Sequence, residues 1–144
     1  MLIFLTIGLI SSITSAQTSR RDSIANEISE YRTSLNFNTK DTLYIHNIIE
    51  LASHYRFHNL DSLLLLSQES LHLSKKASYN NGEIRSYHSI AGYYSDKGKT
   101  DKAISYYKKA YDLSIKHDNK ILVVTSLNAV SYTHLRAHET KANL

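Results

Sequence analysis

Two stripes of apolar residues at helical spacing, joined across one glycine, constrain this chain more than any other feature it has. Tyr87, Ile90, Ala91 and Tyr94 recur at steps of three and four, so on a helix they share one face. Asp96-Lys97-Gly98-Lys99 interrupts the stripe, and Gly98 supplies the backbone freedom of a tight turn. Ala103, Ile104, Tyr107, Ala110, Tyr111 and Ser114 then resume the helical spacing. Antiparallel helices joined by a short turn approach closely only where a side chain is small. Ala91 and Ala103 meet that condition, and Tyr87, Tyr94 and Tyr107 fill the space on either side.

A weaker copy precedes this pair. Ile48, Leu51, Ala52 and Tyr55 match Tyr87, Ile90, Ala91 and Tyr94 thirty-nine residues earlier. Asp61, Leu63, Leu64, Ser70 and Leu73 match Asp101, Ala103, Ile104, Ala110 and Leu113 forty residues earlier, which predicts a first turn one residue shorter. Leu63 and Ser67 depart from the Ala103 and Tyr107 they replace. Asp61 and Asp101 are expected to cap the two second helices, each contributing about 1 kcal/mol. Asn80-Asn81-Gly82 is expected to separate the pairs.

The order of large, small and aromatic residues through 84–115 resembles the tetratricopeptide repeat. Tyr87 stands at that family's Trp position, Ile90 at Leu, Ala91 at Gly or Ala, and Tyr94, Ala103, Tyr107 and Ala110 at the remaining signature positions. The family's Pro after the second helix has no counterpart, since the chain contains no Pro, and the period near forty exceeds the usual ~34 residues. The resemblance implies an all-α fold of antiparallel helix pairs stacked as a short solenoid. Residues 17–40 are read as an N-terminal capping helix and linker, with Ile24, Ile28, Tyr31 and Leu35 as its apolar stripe. Residues 41–79 form repeat 1, 80–118 form repeat 2, and 119–129 begin a truncated third repeat.

The two ends differ in character from the middle. Leu2 to Ile10 is an apolar run too short to span a bilayer, and Thr14-Ser15-Ala16 before Gln17 has the small residues of a cleavage site. Residues 1–16 are therefore expected to be a signal peptide, placing the mature chain in or facing the periplasm. With no Cys there is neither a disulfide framework nor a lipid attachment site after the apolar run. Long repeats behind a signal peptide resemble the periplasmic sensor regions of certain Bacteroidota histidine kinases and regulators. At the other end, residues 126–130 match 86–90, after which Ser131, His134 and His138 stand where Ala91, Tyr94 and Gly98 would be. Residues 130–144 resemble the translation of a transposon-end adapter from sequencing libraries, so this tail is expected to be non-native.

No nucleophile beside a base, Gly-rich phosphate loop or paired carboxylates is present in the pattern, which argues against an enzyme. The sequence implies no cofactor. His54 and His58 offer two ligands where a closed zinc site needs four, and His134 with His138 falls in the adapter-like tail. The formal charge of +4 is spread along the chain, so nucleic acid is not an expected partner. Membrane association is expected only through the signal segment or an anchor outside this sequence. In the tetratricopeptide family the first helix of each pair lines a binding groove. The resemblance therefore implies His46, Ile49, Ser53, Arg56, Arg85, His88, Ser95 and Asp96 as groove residues for a protein or peptide ligand, with Arg, His and Ser suited to a carboxylate. Tyr93 and Tyr106 are expected to face away from the core, and exposed repeat ends to allow self-association.

Overall fold

A computed structural model describes the backbone of residues 2–142 and the side chains of residues 15–136. The helical periodicities become six helices: α1 (Leu2–Thr33), α2 (Thr42–Tyr55), α3 (Leu60–Lys76), α4 (Asn80–Asp96), α5 (Thr100–Lys116) and α6 (Lys120–Ala142). There is no strand among the described residues. The chain divides into two compact units, 1–37 and 38–144.

In the first unit, α1 is one continuous helix from Leu2, where the apolar stripe alone predicts a start near Arg20. Ile24 and Ile28, four apart, are the buried residues among its described side chains. The helix ends at Thr33, so Leu35 leaves the stripe and is fully exposed, contrary to its expected place on it. Beyond that end, the Phe37 ring packs edge-on against Tyr31 at 5.7 Å. The expected signal-peptide segment runs into α1 without a break, and the side chains of residues 1–14 lie outside the described residues.

The second unit is the solenoid. Antiparallel pairs α2–α3 and α4–α5 stack so that α3 packs on α4 and α2 lies beside α4, while α6 packs on α5 and touches α4. Ala91 and Ala103 are both 0% exposed at the α4–α5 contact, with Tyr107 buried beside them and Tyr94, Tyr106, Ala129 and Val130 half-buried around them. In the first pair the volumes are exchanged rather than lost. Leu63 fills the site of Ala103, and Ser67 replaces the Tyr107 ring, its hydroxyl donating to the Leu63 carbonyl at 2.6 Å. Small hydroxyl residues line this interior. The Ser70 and Ser86 hydroxyls share a bond of 2.8 Å between α3 and α4, and Ser114 and Ser126 donate to the carbonyls four residues back. Such back-bonding satisfies a buried hydroxyl without a partner helix.

Helix ends supply the corrections. Asn59, not Asp61, caps α3 by accepting from the Ser62 N–H at 3.0 Å, and Lys99 at the N-cap of α5 makes no side-chain cap. Asp61 and Asp101 sit inside the first turns, where their charge still complements the helix dipole. Asn80, Asn81 and Gly82 are the first residues of α4 rather than a break. The break is at Ala77 to Tyr79, and its hinge is Ser78, at a φ of 54°. Gly98 and Asp118 occupy the same place at φ of 70° and 50°, twenty residues apart in turn. At all three ends the N–H of the left-handed residue and the next N–H reach back to close the helix: Ser78 to the Lys75 carbonyl and Tyr79 to Ser74, Gly98 to Ser95 and Lys99 to Tyr94, Asp118 to Ile115 and Asn119 to Ser114. The α2–α3 turn lacks this device. The missing residue is absorbed by α2 stopping at Tyr55, leaving Arg56 to Asn59 as the connection.

Only glycine takes a left-handed conformation without a steric cost, of roughly 1–2 kcal/mol for other residues and less for Asp. Gly98→Ala should lower stability by about 1 kcal/mol, since a methyl there meets nothing within 4 Å and only the backbone cost remains. Ser78→Gly should raise stability by up to about 1 kcal/mol and Asp118→Gly by less. Denaturant midpoints of the three variants check the order.

Candidate functional site

The first helices of successive pairs place side chains from equivalent positions against each other, so the α2–α4–α6 face is built from residues nearly forty apart. Arg56, the C-cap residue directly after α2, reaches Asp96 at the end of α4 with Nε to Oδ2 at 2.9 Å and Nη2 to Oδ1 at 3.3 Å. The guanidinium lies over Gly92, one turn before Asp96, where an added Cβ would meet it at 3.3 Å. Hydrogen bonding to Asp96 raises the already high pKa of Arg56, with the Tyr107 hydroxyl beside it adding to the effect. Burial in turn raises the Tyr107 hydroxyl above its ordinary value. A second arginine, Arg136 of α6, approaches the same Asp96 at 3.9 Å.

A separate contact forms nearer the start of the helices. Arg85 Nη1 donates to His46 Nδ1 at 3.3 Å, which leaves the His46 proton on Nε2, facing Glu50 Oε2 at 3.8 Å. Among the described residues His46 is the only hydrogen-bond partner of the Arg85 guanidinium, and Arg85 is exposed. Its remaining N–H groups point to solvent in the planar arrangement that matches a carboxylate.

His88 behaves differently from both. Its ring lies edge-on to Tyr107 at 5.4 Å, and its Nε2 is 2.7 Å from the Ser126 hydroxyl of α6. The Ser126 proton is committed to the Leu122 carbonyl at 2.7 Å, so Nε2 carries the histidine proton and donates. Burial lowers the His88 pKa from 6.5 to about 4. His88 is thus a neutral joint between α4 and α6.

Of the eight groove residues expected from sequence, the structure brings together two pairs, His46 with Arg85 and Arg56 with Asp96. His88 turns into the α4–α6 contact, while Ser53 is exposed with its hydroxyl on the Glu50 carbonyl and Ser95 is half-buried. Ile49 is corrected: at 3% exposed it belongs to the core. Ile45, Ile48, Ile49 and Ala52 form one buried stripe, a spacing already present in the sequence. Tyr106 is corrected as well, since it is half-buried and stacked on Tyr94 at 5.5 Å and 16°. Tyr93 is half-buried with its ring edge-on to Tyr94 at 5.2 Å. Sequence reasoning missed Gly92, Tyr107 and Ser126 as parts of this face. Among the described residues no three His, Asp or Glu side chains gather to hold a metal ion, and no helix is long and apolar enough to cross a membrane. The side chain of His138 lies outside the described residues.

A folded-state pKa below the unfolded one means the unfolded chain binds the extra proton, so stability falls as pH drops through that interval. For His88 the interval runs from 6.5 down to about 4, and at ~1.4 kcal/mol per unit the loss reaches about 3 kcal/mol. Chemical denaturation at pH 7 and pH 4 should show a markedly smaller loss in His88→Gln than in the parent chain.

With the geometry in place, comparison with known proteins adds one finding. No curated protein and no solved structure matches the chain. Residues 84–115 match the family model of the tetratricopeptide repeat, which identifies the α4–α5 pair as one such repeat.

Proposed function

We propose that the α2–α4–α6 face docks a peptide segment of a partner protein through a carboxylate held by Arg85. A tetratricopeptide repeat in α4–α5 is the mark of a protein-interaction module, and the observation that carries the finer reading is the contrast between two arginines on one face. Arg56 is neutralised by Asp96, whereas Arg85 has only the neutral Nδ1 of His46 and presents free donors to solvent. His46 fixes the guanidinium, reducing the side-chain entropy lost when a ligand binds.

In the wider reading, this module is the N-terminal, periplasm-facing sensor part of a membrane-anchored signalling protein, and ligand binding is transmitted by repacking of stacked helices. The second reading is a free-standing periplasmic scaffold. Ahead of the adapter-like tail, the exposed apolar residues Ile121, Val124 and Leu127 of α6 favour further packing on that helix by more repeats or a second copy. The full gene separates the two readings. A membrane-spanning helix followed by a kinase or DNA-binding domain supports the first; a stop codon after further repeats supports the second. The same genomic sequence tests the tail, since a frame continuing unchanged through codon 140 contradicts an adapter origin.

The docking reading is tested by calorimetry against a panel of short peptides with a free C-terminal carboxylate and their amidated counterparts. A hydrogen-bonded charge pair contributes about 1.5–3 kcal/mol. Arg85→Ala should therefore weaken the best carboxylate peptide by about tenfold or more and leave amidated peptides unchanged. Equal binding by parent and variant contradicts the assignment.

A further inference from the structure

The side of the α4–α5 pair away from Arg85 carries a second concentration of interaction chemistry. From Arg85 to Tyr94 is nine residues, which at 3.6 residues per turn places them half a turn apart on α4. Tyr87 and Tyr94, seven residues apart, share that opposite side. On α5, Lys102, Tyr106 and Lys109 recur at steps of four and three. The two rows meet ring to ring. Tyr94 stacks on Tyr106 at 5.5 Å, and Tyr87 lies 6.2 Å from Tyr106 at a tilt of 42°.

Each ring of this row has a lysine over it. Lys75 of α3 lies 5.4 Å from the Tyr87 centroid, Lys102 5.5 Å from Tyr94, and Lys109 4.7 Å from Tyr106. Such contacts hold an ammonium by ring electrostatics without neutralising it. At Lys75 the chain shows how the charge is answered. Glu83 Oε1 stands 3.8 Å from Lys75 Nζ, and the Tyr87 hydroxyl is the first cause of the raised Lys75 pKa, with Glu83 reinforcing it. Lys102 and Lys109 have no such carboxylate. Asp101 and Asp112 lie on the same helix, but neither comes within ion-pair distance of them among the described residues.

From this arrangement we infer that Tyr87, Tyr94 and Tyr106, with Lys75, Lys102 and Lys109, form a second docking surface, for an acidic segment of a partner protein. Carboxylates placed over Lys102 and Lys109 would repeat the Glu83–Lys75 contact while the lysines stay on their rings. A nucleic-acid base requires a free ring face to stack on, and here one face of each ring is under a lysine while Tyr94 and Tyr106 cover each other. Half-buried tyrosines in a row also provide rigid contact area at small entropic cost.

The test titrates a hexaglutamate peptide into the full chain at low salt, with amide shifts followed by NMR and an oligothymidylate titrated in parallel. Expected are shifts centred on Tyr87, Tyr94 and Tyr106, and binding weakened at least tenfold by Lys102→Glu with Lys109→Glu. The milder pair Lys102→Gln with Lys109→Gln should weaken it at least threefold, with the circular dichroism melt unchanged, which separates loss of charge from loss of fold. Arg85→Ala should leave the titration midpoint read from the shifts at Tyr87, Tyr94 and Tyr106 within twofold of the parent, whatever happens to shifts around Arg85 and His46, so failure of this surface and failure of the Arg85 surface give different results. Shifts confined to other residues, lysine variants that bind as the parent does, or tighter binding of the oligothymidylate at the same tyrosines would each overturn the assignment.

Discussion

The forty-residue register between α2 and α4 is the constraint on which the rest of the solenoid's chemistry depends. It sets Arg56 against Asp96 and His46 against Arg85, and so decides which charge on the face is spent and which is free. The ion pair reports this register more than it creates it. With side chains 40% and 23% exposed it is partly screened by water. The register itself comes from apolar packing, in which Ile45, Ile48, Ile49 and Ala52 leave α2 only one face to bury. Slipping α4 along α2 would part Arg56 from Asp96 and Arg85 from His46.

Within a pair, the controlling quantity is side-chain volume at the closest approach. Ala91 and Ala103 let α4 and α5 come together, and the Tyr107 ring then occupies the space toward α2, beside Arg56. The first pair closes its interior by another route, burying Leu63 at the approach and Ser67 where the ring would be. This exchange has a consequence for recognition. The second pair alone places a phenol under the polar face, and so gives Arg56, Asp96 and His88 a common neighbour.

The pairs were legible in the sequence because helical spacing and alternating volume are one-dimensional properties. Ala91, Gly98 and Ala103 could be assigned from neighbours three or four residues away. Ser78 and Asp118 could not, because nothing in their residue type demands a left-handed backbone; the hydrogen bonds closing the helix ends impose it. Asp61 and Asp101 misled for a related reason. An acidic residue favours both the cap and the first turn, and only the backbone says where the helix begins. The face itself was half legible. Arg56, Arg85 and Asp96 followed from equivalent positions in a repeat, but their division into a neutralised pair and a free cation depends on distances across helices. Ile49 was misplaced although its own spacing with Ile45, Ile48 and Ala52 pointed inward.

A double-mutant cycle on Arg56 and Asp96, with stability measured by denaturant unfolding of both single variants and the double variant, tests the register most directly. Residues forty apart in sequence have no reason to couple unless successive pairs stack in this alignment. The account predicts a favourable coupling of about 1 kcal/mol, the range of a partly exposed, doubly hydrogen-bonded ion pair. Strictly additive effects of the two substitutions would contradict it.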